Sequence, residues 1–188
     1  CVRTKFNEYY ITTGTGYATH DFDWINRNIP SDLNAQLIDV TSSNAVLSLF
    51  GPKARDILQV VTLNDVSDNG HPLGLARQIS IAGCPVLALR ITYVGELGWE
   101  LHLPVEYAQT IYNTLIEAGS PLGLRNAGYR AIETLRLEKG YRAWSSDIGP
   151  DHTPDEAGLG GAVKMSSNIS FKGREAIAKQ RAEGIKQI

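Results

Sequence analysis

ITYVGELGWELHL, residues 91–103, is the stretch whose reading decides the fold. Ile91, Thr92, Tyr93 and Val94 are β-branched or aromatic, Gly95-Glu96-Leu97-Gly98 has turn composition, and residues 99–103 alternate apolar with polar. The pattern predicts two strands joined by a turn. Glycines on both sides of Glu96 open backbone conformations closed to other residues and keep side chains away from the carboxylate. A carboxylate presented in this way accepts two parallel hydrogen bonds from a flat donor pair, such as an amino group beside a ring N–H. A solvated turn residue fits the same four letters, so the remainder of the chain must decide between the two.

The chain has 188 residues, of which 43% are hydrophobic, enough for one sizeable core or two small lobes. Eighteen basic residues against twenty acidic ones leave a net charge of −2, which excludes a global basic field for nucleic acid. No apolar run reaches the length of a membrane span. Cys1 and Cys84, far apart in sequence, suggest a reducing compartment and neither a disulfide framework nor a zinc site. The first residue is a cysteine within a strand-like run, with no initiator methionine or targeting segment, and the chain closes on a basic helix-like tail. Both features read as those of a piece of something larger.

Outward from the central stretch, residues 76–81 and 86–91 form a hairpin about Ala82-Gly83, and residues 64–74 a turn-rich surface loop. Residues 36–40 and 45–50 are expected strands, and Gly51-Pro52 opens a helix with Ala54, Ile57, Leu58 and Val61 on one face. Residues 1–6 and 8–13 pair as short strands, broken by Gly14-Thr15-Gly16, which lacks the rest of a nucleotide-binding fingerprint. Thr19 is the expected cap of a helix through Asp23-Trp24-Ile25 that stops at Pro30. Helices follow at 105–118 and 126–139, then a strand near 161–165 and a helix after Gly173 with Ala176, Ile177 and Ala182 inward. The fold class is α+β, with mixed or antiparallel sheets and packed helices.

Arg136 lies between two leucines on an apolar helix, so its guanidinium must meet a carboxylate, Glu133 or Glu138, or a ligand acceptor. Downstream, Tyr141 and Trp144 either stack on a heterocycle or serve as core. Asp147, Asp151, Asp155 and His152 share that loop, but their spacing does not follow the calcium-loop pattern. There is neither a nucleophile elbow nor an HEXXH zinc motif. His102 alternates with Leu101 and Leu103 and is expected to face solvent.

YVGELGWELHL, then LRLEKGYRAW, SSDIGPDHTPDEAGL and FKGREAI, together with THDFDWI near the front, resemble in order the aminomethyltransferase (glycine cleavage T-protein) family. The wording is most similar to the folate-binding C-terminal portion of sarcosine and dimethylglycine dehydrogenases. The resemblance implies one tetrahydrofolate-binding module over residues 1–188, lacking an upstream flavin domain and a C-terminal barrel. It implies that Glu96 holds the pterin amino group and ring N–H, that Tyr93 flanks the pocket, that Arg136 lies near the folate and that Trp144 walls the channel. In such a parent an FAD domain of the same chain oxidises a small N-methyl amine, and folate captures the one-carbon unit as methylene-tetrahydrofolate. Neither nucleic acid nor membrane is an expected partner. The resemblance places the acid that assists folate attack ahead of Cys1, so this piece alone is expected to be inactive. Two alternatives stay open: a non-catalytic regulatory subunit of the pyruvate dehydrogenase phosphatase type, and a glycine cleavage aminomethyltransferase. The implied address is the cytoplasm in a bacterium or the mitochondrial matrix in a eukaryote.

Overall fold

A computed structural model describes residues 1–185, so the end of the basic tail lies outside the described residues. The chain divides into two compact units, Cys1–Gly128 and Tyr129–Ile188. The first begins with a two-stranded antiparallel ladder, β1 (Val2–Lys5) and β2 (Glu8–Tyr10). A helix, α1 (Ala18–Arg27), follows. Its cap position is Tyr17, so Thr19 sits inside the first turn and does not cap it.

The centre of this unit is a four-stranded sheet made of β3 (Asn44–Phe50), β4 (Ala76–Ile81), β5 (Cys84–Leu89) and β6 (Gly98–Pro104). Its order is β3-β6-β5-β4 and every neighbour is antiparallel. The β4–β5 turn at Ala82-Gly83 takes φ of +49° and +79°, which is the two-residue hairpin geometry that follows strand twist. β6 occupies an interior position, and its alternation sorts the sheet into two faces. Trp99, Leu101 and Leu103 pair with Leu49, Leu47 and Ala45 on the core face. Ile57 and Leu58 of α2 (Ala54–Val61) and Ile111 and Leu115 of α3 (Ala108–Gly119) belong to the same core.

Several expectations are corrected here. Residues 91–94 are not a strand: the β5–β6 ladder ends at Leu89↔Glu100, and β6 runs on to Gly98 against β3 alone. Residues 36–40, largely exposed, pair with neither edge of the sheet, and strand propensity without a ladder partner makes no strand. Pro52 lies in the turn ahead of α2, whose cap is Lys53. The 64–74 loop is more than surface, because Val66 and His71 are fully buried. In the helical stretch after β6, Val105 is exposed within a separate short turn, Val105–Tyr107.

The second unit contains α4 (Tyr129–Glu138) and α5 (Arg174–Glu183). On α4 the buried residue is Arg136 itself, whereas Ala131 and Leu137 are exposed. Residues 161–165 form no strand; the chain makes a single tight turn at Gly160–Ala162. On α5 Ile177 is half-buried, while Ala176 and Ala182 face outward. Charged contacts hold that helix: Arg181 donates to both oxygens of Asp155 at 2.8 Å, and Arg174 donates to the carbonyls of Met165 and Ser167 at 2.6 and 2.7 Å.

Candidate functional site

Glu96 stands on an eight-residue excursion, 90–97, between β5 and β6. Both ends of the excursion are fixed by backbone bonds. Arg90 N–H donates to Leu75 O at 2.9 Å, Gly74 N–H donates to Arg90 O at 2.8 Å, and Gly51 N–H donates to Leu97 O at 2.8 Å. In the middle Val94 is buried, its N–H donating to Thr92 Oγ1 at 3.2 Å. Gly95 then turns the chain at φ +71°, where a β-carbon would strain the backbone. Glu96 follows half-buried, with neither a hydrogen-bond nor an ion-pair partner among the described residues. Tyr93, 37% exposed, lies on the same excursion.

The second glycine of the turn has a different task from the one its sequence suggests. Gly98 is buried in β6, and a side chain there would overlap Leu49 O and Phe50 of β3. It permits close strand approach and does not clear space beside the carboxylate.

The excursion also rests on a charged cluster. Arg55 and Arg90 both lie over the buried Trp99 ring, at 5.6 and 5.7 Å from its centroid. One Asp68 oxygen accepts from both guanidiniums, at 2.7 and 2.6 Å, and these cations hold its carboxyl below the ordinary value. Arg90 Nη1 donates to His71 O at 2.8 Å. His71 contacts the same indole edge-on, and burial pushes its pKa down, so the neutral ring is favoured.

In the second unit, Arg136 is 1% exposed. Its Nε and Nη2 donate to the two oxygens of Glu133, and its Nη1 donates to Asp147 and, at 2.8 Å, to Tyr141 O. These acceptors, Glu133 foremost, hold the guanidinium charged. Asp147 also accepts from Ala143 N–H at 2.8 Å, and that bond with the Arg136 contact lowers its pKa. Arg136 thereby ties α4 to the 141–147 loop, on which Trp144 is 49% exposed. The acids of the following loop are dispersed: Asp147 meets Arg136, and Asp155 meets Arg181. His152 Nδ1 accepts from Gly149 N–H. Among the described residues no group of His, Cys, Asp and Glu is placed to hold a metal ion.

His102 is 4% exposed and does not face solvent. β6 is an interior strand, and Tyr10 of β2 meets His102 edge-on from the second face of the sheet. Tyr10 O–H lies 3.2 Å from His102 Nδ1, and Nε2 lies 3.4 Å from Glu100. A cavity of about 340 Å³ opens at this place between the ladder and the sheet, with Thr4, Glu8, Asn44, Gln78 and Leu87 among its lining. Nothing local in HLP or EYY announces this meeting, since the partners are 92 residues apart.

The profile of the GCVT N-terminal domain matches residues 1–167. The chain belongs to that family. As a GCVT N-terminal domain it is 42% identical to mouse mitochondrial sarcosine dehydrogenase and 36% identical to rat mitochondrial dimethylglycine dehydrogenase. The alignments take in 95% and 96% of the chain but only 20% and 21% of those proteins. It is also 33% identical to the mouse pyruvate dehydrogenase phosphatase regulatory subunit, over 97% of the chain and 21% of that protein. Among solved structures, aminomethyltransferase T of the glycine cleavage system from Bartonella henselae aligns with 90% of the chain and 44% of its own, at 25% identity and a TM-score of 0.75. The family match spans both the Glu96 excursion and the Arg136–Asp147 tie, and stops before α5. It confirms the α+β class and the aminomethyltransferase resemblance carried by the sequence motifs. No helix among the described residues is long and apolar enough to cross a membrane.

Proposed function

We propose that this GCVT N-terminal domain binds tetrahydrofolate, with Glu96 gripping the amino group and ring N–H of the pterin. The observation that carries the reading is the state of Glu96: a half-buried carboxylate with no partner among the described residues, on an excursion fixed at both ends. Its two oxygens, which no donor among the described residues occupies, can accept a flat pair of N–H donors in parallel. The donor chemistry of a pterin edge fits this residue. Tyr93 flanks the ring from the same excursion. In the second unit, taken by itself, Arg136 has its donors engaged by Glu133, Asp147 and Tyr141 O and so fixes the loop that carries Trp144.

Bound tetrahydrofolate would supply the nitrogens that accept a one-carbon unit. The parent would be a sarcosine or dimethylglycine dehydrogenase-like enzyme whose FAD domain oxidises the N-methyl amine, the product leaving as methylene-tetrahydrofolate. Capture inside the protein replaces a bimolecular encounter and shields a reactive species from water. The mitochondrial relatives support a matrix address in a eukaryote, with the cytoplasm as its bacterial counterpart. The test is a titration of folinic acid, an air-stable tetrahydrofolate, into the full-length protein that carries this chain. Glu96→Gln should weaken binding by roughly 1–3 kcal/mol, the range for a hydrogen bond to a charged group. Equal affinity in the variant would remove the pterin assignment.

A second reading, a non-catalytic regulatory subunit, is supported by the 33% identity to the phosphatase subunit. Absence of any folinic acid binding in the full-length protein would favour it.

A further inference from the structure

We infer that Arg90 is the positioning residue of the Glu96 excursion, and that Asp68 is the group that holds it in place. The inference rests on the reading of Glu96 given above and deepens it. Arg90 is the residue at which the chain leaves β5, and Trp99 is the second residue of β6 after the chain returns. The Arg90 guanidinium over the Trp99 indole at 5.7 Å therefore bridges the two feet of the excursion. An arginine so placed is nearly enclosed, its side chain being 11% exposed, and it needs acceptors. It finds the Asp68 carboxylate at 2.6 Å and the His71 carbonyl at 2.8 Å, both supplied by the 64–74 loop. That loop is itself anchored by the burial of Val66 and His71.

The arrangement also bears on the charge of Glu96. In sequence, Arg90 is the nearest cation to Glu96, six residues away on the same short excursion. Two flexible partners of opposite charge on one loop would pair with each other and so mask the carboxylate. Asp68 prevents this by drawing the guanidinium toward Trp99, where Arg55 takes the other approach to the same oxygen. The carboxylate of Glu96 is then left for an external donor. Asp68 touches no ligand in this account. It acts through Arg90, and Arg90 acts through Glu96.

The test is a double-mutant cycle on folinic acid affinity in the full-length protein, measured by isothermal calorimetry, with thermal melting recorded on each variant. Asp68 is well exposed, its side chain 76% accessible, so Asp68→Ala should leave the fold in place. The dissociation constant should rise roughly fivefold for Asp68→Ala in the wild-type background, and by less than about twofold when Glu96→Gln is already present. Any loss of melting temperature should be the same in both backgrounds. Equal weakening in both backgrounds would show that Asp68 is merely structural and overturn the inference, and so would no weakening in either. Should Asp68→Ala fail to fold, Asp68→Asn enters the same cycle with the same criteria. Failure of the underlying reading is distinguishable, because Glu96→Gln alone would then leave the affinity unchanged.

Discussion

Gly98→Ala should be among the most damaging single-methyl changes in the first unit. The added carbon would overlap the carbonyl oxygen of Leu49 and Cδ1 of Phe50, and come within 2.9 Å of Phe50 Cα. Carbon–carbon contacts settle at about 3.5–4.0 Å, so the two strands must part by at least roughly 0.6 Å. Two of the three obstructing atoms are backbone, so no side-chain rotation relieves them. Gly98 pairs with Phe50 at the end of the β3–β6 ladder, one residue before the buried Trp99, so the displacement is felt by the core. Overpacking of this kind costs about 3 kcal/mol. For a unit of this size that corresponds to a fall in melting temperature of roughly 10 °C. Gly16→Ala is the control, because a methyl there meets nothing within 4 Å and its backbone is not left-handed. Its melting temperature should stay within about 2 °C of wild type. Melting followed by far-ultraviolet circular dichroism reads both. The same displacement moves the foot of the Glu96 excursion, so folinic acid affinity should fall together with stability. A Gly98→Ala protein that melts like the control would refute the close β3–β6 approach and, with it, the fixed geometry claimed for Glu96.

Two further outcomes are expected. Tyr10→Phe removes the hydroxyl that meets His102 Nδ1 at 3.2 Å and should cost about 1 kcal/mol by urea denaturation, while unchanged stability would mean that the β1–β2 ladder is held by other contacts. In the second unit Arg181 holds the Asp155 carboxyl below its ordinary value. A depressed folded-state pKa contributes stability that is present above the unfolded value, 3.8, and lost as pH falls through the folded one. Asp155→Asn should therefore lower stability at neutral pH and flatten its acid dependence below about pH 4. An unaltered acid limb in denaturation against pH would contradict that pairing.

The parts of the fold legible in the sequence are those whose causes are local. The β4–β5 hairpin announced itself through Ala82-Gly83 between alternating runs, and α2 and α3 through the spacing of Ile57 and Leu58, and of Ile111 and Leu115. What stayed illegible depends on neighbours distant in sequence. Residues 36–40 have the composition of a strand but no ladder to join. His102 has the alternation of a solvent-facing residue, yet it is buried where Tyr10, 92 residues away in sequence, meets it. The acids of the 147–155 loop look like a cluster in the sequence and are drawn apart by two arginines, one of them on α5.

Arg136 and Glu96 show why sequence alone could name candidate site residues without giving their roles. Both stand out in the sequence because a charge lies among apolar or glycine neighbours; Arg136 is buried and Glu96 half-buried. Burial obliges a charged group to find partners, but it does not say whether they come from the chain or from outside. Arg136 has Glu133 one helical turn away and Asp147 eleven residues on, and its demand is met internally. Glu96 has one cation near it in sequence, Arg90, and Asp68 together with His71 O has already engaged it. Under the proposed reading of Glu96, a structural arginine and a ligand-ready carboxylate differ through a third residue in each case, Asp147 for one and Asp68 for the other. Neither lies within the motif that marks its charge, which is why reading LRLE and GELG letter by letter could not separate the two roles.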